Sequence, residues 1–160
     1  IKVEADIPLH TVAFDTVAER LAQLSGGVNI FILDACRDNP FSNLFAFAGD
    51  GRRLKLRGAS SSNPKLGLAA PKRTRVGSFV AFSTEPGSTA RDNPAGKNSI
   101  YAKHLLLHVD TPNLRIDDLF MKVRTGVLEE TQGQQVPWEQ TSLQRPFCFR
   151  VSGPVECGRQ

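Results

Sequence analysis

No apolar stretch in this 160-residue sequence approaches the roughly 20 residues that a membrane-spanning helix needs, because Gly, Pro or charge interrupts each one within a few positions. The expectation is a domain without a membrane partner. Cysteine is scarce: Cys36, Cys148 and Cys157 form none of the closely spaced pairs that zinc sites use. Cys148 and Cys157 can bridge, which would point to an oxidising compartment such as a periplasm, whereas free thiols would point to cytoplasm. Cys36 stands apart. Histidine is equally sparse. His104 and His108 lie four apart but lack the Glu of an H-E-x-x-H zinc motif, so they read as ordinary helix histidines, with no metal and no cofactor implied. His10 is placed at the entry to the first helix.

Acidic residues are missing from Gly51 to Arg75, where eight of the twenty Lys and Arg residues fall. The formal charge of +4 is thus concentrated in one Gly-, Ser- and Pro-containing stretch. That stretch also lacks Phe, Tyr and Trp, so it offers no stacking platform and nucleic acid is not an expected partner. Ile1 in place of Met, with neither a charged nor an apolar leader after it, reads as a processed or trimmed start, and localisation stays open.

What is present is enough apolar material, 40% of residues, for one core. From Thr11 to Leu24 the residues Phe14, Val17, Ala18 and Leu21 recur at helical spacing, and Gly26-Gly27 supplies a stop. Val28 to Leu33 is a continuous β-branched run, as expected of a strand covered on both faces. Residues 50–77 read as a long surface connection, and Ser78 to Phe82 as a second strand followed by a loop to Asn98. Helical patterns then span Ser99 to Val109 and Ile116 to Glu130, and Pro146 to Val151 alternates as a strand burying Phe147, Phe149 and Val151. The fold class is α/β, a mainly parallel central sheet flanked by helices.

In open α/β sheets ligands gather beyond the C-terminal ends of the strands. Asp34, Ala35 and Cys36 follow Leu33 and fall on that edge. A thiol there is partly exposed and open to activation by a neighbouring imidazole, whereas one inside the strand would be inert filler. Asp38, Asn39 and Pro40 carry turn chemistry suited to presenting it.

The run Leu33-Asp34-Ala35-Cys36-Arg37-Asp38-Asn39-Pro40-Phe41 resembles the nucleophile segment of bacterial caspase-like peptidases, the metacaspase relatives often called orthocaspases. The resemblance extends through Gly77–Asp92, Gly96–Leu106, Ile116–Phe120 and Gln135–Phe149, and so covers nearly the whole chain. It implies a caspase-like fold in which residues 1–49 end the large catalytic part, 50–77 form the intersubunit loop, and 78–160 complete the cleft. Cys36 would be the nucleophile of an endopeptidase, with its own N–H as one oxyanion donor. Cleavage after Arg or Lys would follow from acidic pocket residues at Asp34 and Asp92, although capping and Asx turns are alternative roles for these two. Trp138 would wall the cleft or sit in the core.

The family's catalytic His, expected about 50 residues before the Cys, would lie in a segment upstream of Ile1; His10 is too close along the chain to match. That upstream segment is therefore an expected partner, beside peptides with a basic residue before the scissile bond, and these residues alone are expected to be inactive. Self-cleavage in the basic stretch follows from its exposure and composition. The alternative is a non-catalytic caspase-like module that binds a peptide in the same acidic cleft.

Overall fold

A computed structural model describes residues 12, 14–23, 27–37, 46–47, 53–54, 77–91, 93, 96–154 and 157. The first helix, α1 (Phe14–Gln23), lies within the stretch Thr11–Leu24 that its apolar periodicity marks as helical. Its Phe14 ring meets Phe31 edge-on at 4.9 Å, which seats the helix on the sheet. The face is only half-buried, and Val17 is exposed.

Strand β1 (Asn29–Leu33) is followed by the short antiparallel pair β2 (Ala46–Phe47) and β3 (Arg53–Leu54). The expected unstructured connection over 50–77 therefore contains one short strand. Strand β4 (Ser78–Phe82) lies at the centre of the main sheet and is buried throughout. Its sequence Ser-Phe-Val-Ala-Phe has no polar alternation because both faces are covered. β1 pairs with it in parallel, Asn29 opposite Ser78 through Leu33 opposite Phe82, so both strands end at one edge.

On the other side β4 pairs antiparallel with β5 (Trp138–Thr141), and Trp138 stands opposite Phe82. The described sheet is thus mixed, with one parallel and one antiparallel pairing, rather than mainly parallel. β5 takes the place of the strand expected at Pro146–Val151. That segment makes a single bridge, Cys148 to Arg115, and its burial runs opposite to expectation: Cys148 is buried while Phe149 and Val151 are exposed. The Cys148–Cys157 disulfide joins the buried Cys148 to the chain's last described residue. Phe147 alone of the expected trio reaches the core.

Helices α2 (Ile100–His108) and α3 (Ile116–Glu130) cover the sheet. In α3 the buried residues Ile116, Leu119, Phe120, Val123 and Val127 lie three or four apart and form one face, with the Phe120 ring 5.0 Å from Phe79 of β4. Asp117 and Asp118 in its first turn complement the helix dipole. Gly126 lets the two helices approach: a Cβ there would come within 2.2 Å of the His104 ring. His104 also bonds Glu130 at 2.8 Å, beside the Lys103 to Glu130 ion pair. These bonds hold the Glu130 carboxyl below its usual range, Lys103 first and His104 next.

Val123 is fully buried among these side chains. Truncating it to alanine removes two methyl groups and leaves a small cavity, at a cost of about 2 kcal/mol. A urea titration of Val123→Ala should show the midpoint falling with an unchanged slope.

Candidate functional site

Parallel pairing of β1 and β4 sends two loops out from the same sheet edge, and the site is built where they meet. The Ser83 N–H donates to the Leu33 carbonyl at 3.0 Å. The Ser83 hydroxyl accepts from the Ala35 N–H at 3.1 Å and donates to the Ala35 carbonyl at 3.3 Å. One fully buried hydroxyl thereby fixes the residue before Cys36. On the other side the Arg37 N–H donates to the Ser88 carbonyl at 2.9 Å, and the Gly87 N–H to the Arg37 carbonyl at 3.1 Å. Gly87 has φ of 84°, a turn conformation that costs other residues strain.

Arg37 folds inward, 1% exposed, with its guanidinium 4.0 Å over the Phe82 ring. Burial holds its pKa below the ordinary value. Pinned between Ala35 and Arg37, Cys36 points its side chain outward and is exposed. The Ala90 N–H donates to Cys36 Sγ at 3.3 Å, and the Ala90 carbonyl lies 3.7 Å from the sulfur. The Cys36 N–H has no acceptor among the described residues.

Asp34 is also exposed, and its carboxylate accepts from the Ser99 hydroxyl. The same Ser99 Oγ accepts from the Ala102 N–H at 2.9 Å and so caps α2. Asp34 is therefore anchored to the start of a helix rather than capping its own strand. Next to it Tyr101 is buried, and its phenol is pushed far up, by burial first and then by the charges of Asp34 and Glu139.

Gln135 is fully buried. Its Nε2 donates to the Ser83 carbonyl at 2.8 Å, and its Oε1 accepts from the Arg91 N–H at 2.9 Å. Trp138 stands at this edge opposite Phe82 and is 48% exposed, so of its two expected roles the core one is excluded.

The structure thus brings Cys36 and Asp34 to one edge, as the sequence pattern suggested. Asp92, His10, Asp38, Asn39 and Pro40 lie outside the described residues. His104 is occupied at the α2–α3 interface, and burial together with Lys122 and His104 holds His108 below the usual imidazole range. Among the described residues no imidazole is hydrogen-bonded to Cys36, and no group of three His, Cys, Asp or Glu side chains is placed to hold a metal ion. Sequence reasoning missed Ser83, Ser99 and Gln135. Ser99 had a readable signal as a helix cap, but nothing in the pattern tied it to Asp34.

Residues 3–148 match the family model described as the Caspase domain. Among solved structures the chain is similar to the crystal structure of caspase-1 from Spodoptera frugiperda, at 19% identity and a TM-score of 0.53, over 84% of this chain and 50% of that one. The likeness is one of fold, and the chain spans half the length of that structure. No curated protein matches the chain.

Proposed function

Because the chain belongs to the caspase-domain family, we propose that it carries the nucleophile, Cys36, of a cysteine endopeptidase that cleaves after Arg or Lys. The observation that carries this reading is an exposed thiol held at the sheet edge by bonds on both flanks, with an anchored carboxylate, Asp34, two residues before it.

The chemistry follows from those groups. The Cys36 sulfur, as thiolate, attacks the scissile carbonyl carbon, and the carbonyl electron pair moves onto oxygen. The Cys36 N–H, which has no acceptor among the described residues, donates to that oxyanion. Collapse breaks the C–N bond, and an imidazole, supplied by a segment upstream of Ile1, passes its proton to the departing amine. Water then cleaves the thioester, releasing the carboxylate product and restoring the thiol. Asp34, with Asp92 as its companion, pairs with the guanidinium or ammonium preceding the scissile bond. Residues 1–49 and 78–160 act as the two parts of the cleft, and the basic connection between them is a substrate for the enzyme itself. The resemblance of its nucleophile segment to that of orthocaspases supports a bacterial enzyme, and the Cys148–Cys157 disulfide fits an oxidising compartment.

A non-catalytic peptide-binding module is the second reading, favoured by the lack of an imidazole bonded to Cys36 among the described residues. Fluorogenic peptides ending in Arg, Lys or Asp before the reporter separate the two when offered to the chain joined to a His-bearing upstream segment. Release from Arg and Lys peptides alone is the expected result. Binding of the same peptides without release would establish the module, and release from the Asp peptide would overturn the basic preference.

A further inference from the structure

The loop between β4 and α2 supplies the only hydrogen bonds to the Cys36 sulfur among the described residues, yet it is a loop, and something must hold Ala90 in place. We infer that Gln135 is a positioning residue for the nucleophile: its buried amide ties the two ends of the Ser83–Arg91 loop together and thereby sets where Ala90 meets Cys36.

Gln135 lies 52 positions from Ser83 and 44 from Arg91, so neither bond is local. At 0% exposure, its amide has donor and acceptor both occupied by the loop, one at each end. At the Ser83 end, which is buried, water cannot replace the bond without entering the core, which makes the clasp costly to open there. Gln135 is itself held from behind: its N–H donates to Thr131 Oγ1 at 3.1 Å, and that hydroxyl donates to the Val127 carbonyl at 2.7 Å. A continuous path of hydrogen bonds thus runs from the last turn of α3 through Thr131 and Gln135 to Arg91, the residue after Ala90. The bond from the Ala90 N–H to sulfur strengthens when the sulfur becomes charged, so its alignment bears on the thiolate that reacts. Ser83, the other end of the clasp, is the residue that fixes Ala35. A single side chain therefore governs both sides of Cys36.

The inference rests on reading Cys36 as the nucleophile, and the test is chosen to work without turnover. Gln135→Met preserves volume and removes both bonds; Gln135→Glu keeps the acceptor for the Arg91 N–H; Val123→Ala weakens the core elsewhere. Amide hydrogen exchange at Ala90 and Arg91, and alkylation of Cys36 by iodoacetamide at one pH, are measured in each. In Gln135→Met exchange at both amides should quicken by roughly tenfold or more, and alkylation should slow several-fold, while Leu119 to Val127 keep wild-type exchange. Gln135→Glu should restore Arg91 protection and most of the alkylation rate. Val123→Ala should quicken exchange within α3 without slowing alkylation. In a turning-over assembly, Gln135→Met should lower kcat roughly tenfold with KM little changed. Exchange at Ala90 and alkylation of Cys36 within about twofold of wild type in Gln135→Met would overturn the assignment, whether or not the chain proves to be a peptidase. An equal slowing of alkylation in Val123→Ala would overturn it too.

Discussion

If Cys36 is the proposed nucleophile, replacing it by alanine should abolish peptide cleavage by the chain joined to its His-bearing segment, by more than about a thousandfold, while leaving the folded chain as stable as before. The two halves of this result have separate causes. Activity should disappear because among the described residues no second nucleophile stands at the position: the sulfur is the atom on which Ala90 converges, and Ser83 has its hydroxyl committed to both the N–H and the carbonyl of Ala35. Stability is spared because Cys36 is exposed and contributes nothing to the core. Thermal unfolding of Cys36→Ala should match wild type within about a degree, since exposed substitutions fall within roughly 0.5 kcal/mol. The same variant should also halt fragmentation in the basic stretch Gly51 to Arg75, followed by mass spectrometry in the presence of the His-bearing segment. Equal fragmentation in both proteins would assign the cutting to another protease.

Asp34→Asn should lower kcat/KM for peptides with Arg or Lys before the scissile bond by roughly tenfold to a hundredfold, the range expected for a lost charge-assisted bond worth about 1.5–3 kcal/mol. Peptides with a neutral residue at that place should be cut as before, so the measurement that matters is the ratio between the two substrates. The carboxylate is exposed, which keeps the effect below that of a buried pair and makes it fall as salt is added. The side chain's bond to Ser99 decides the structural outcome. Ser99 keeps its capping bond from Ala102 after the substitution, so α2 stays formed and the loss is one of recognition. A uniform decline across all peptides would mean that Asp34 serves the geometry of Cys36 instead of the pocket.

The placement of these residues beyond a strand end is legible in the sequence. A continuous apolar run ending in Asp-Ala-Cys says that a strand stops and a polar group emerges, and β1 does end at Leu33 with Asp34 and Cys36 exposed beyond it. The buried face of α3 was legible residue by residue, because a helix repeats its core positions every three or four residues. β5 was not. Trp-Glu-Gln-Thr carries no strand signal of its own and becomes a strand only because β4 presents an open edge to it. The opposite error arose at Pro146–Val151, where alternation suggested a buried face of three residues, yet only Phe147 of them reaches the core and Cys148, from the other face, is buried.

The sequence by itself determined which residues of α3 leave water and that Cys36 follows the end of a strand, since hydrophobic periodicity and side-chain chemistry are local properties of the chain. Only the tertiary structure decided what surrounds that thiol. Ser83 lies 48 positions from Ala35, Ala90 54 from Cys36, and Ser99 65 from Asp34, and hydrogen bonds over such separations exist only once the sheet has set its register. Parallel pairing of β1 with β4 brings two strand ends to one edge, and that register, rather than any motif, sets Ser83 and Ala90 beside Ala35 and Cys36.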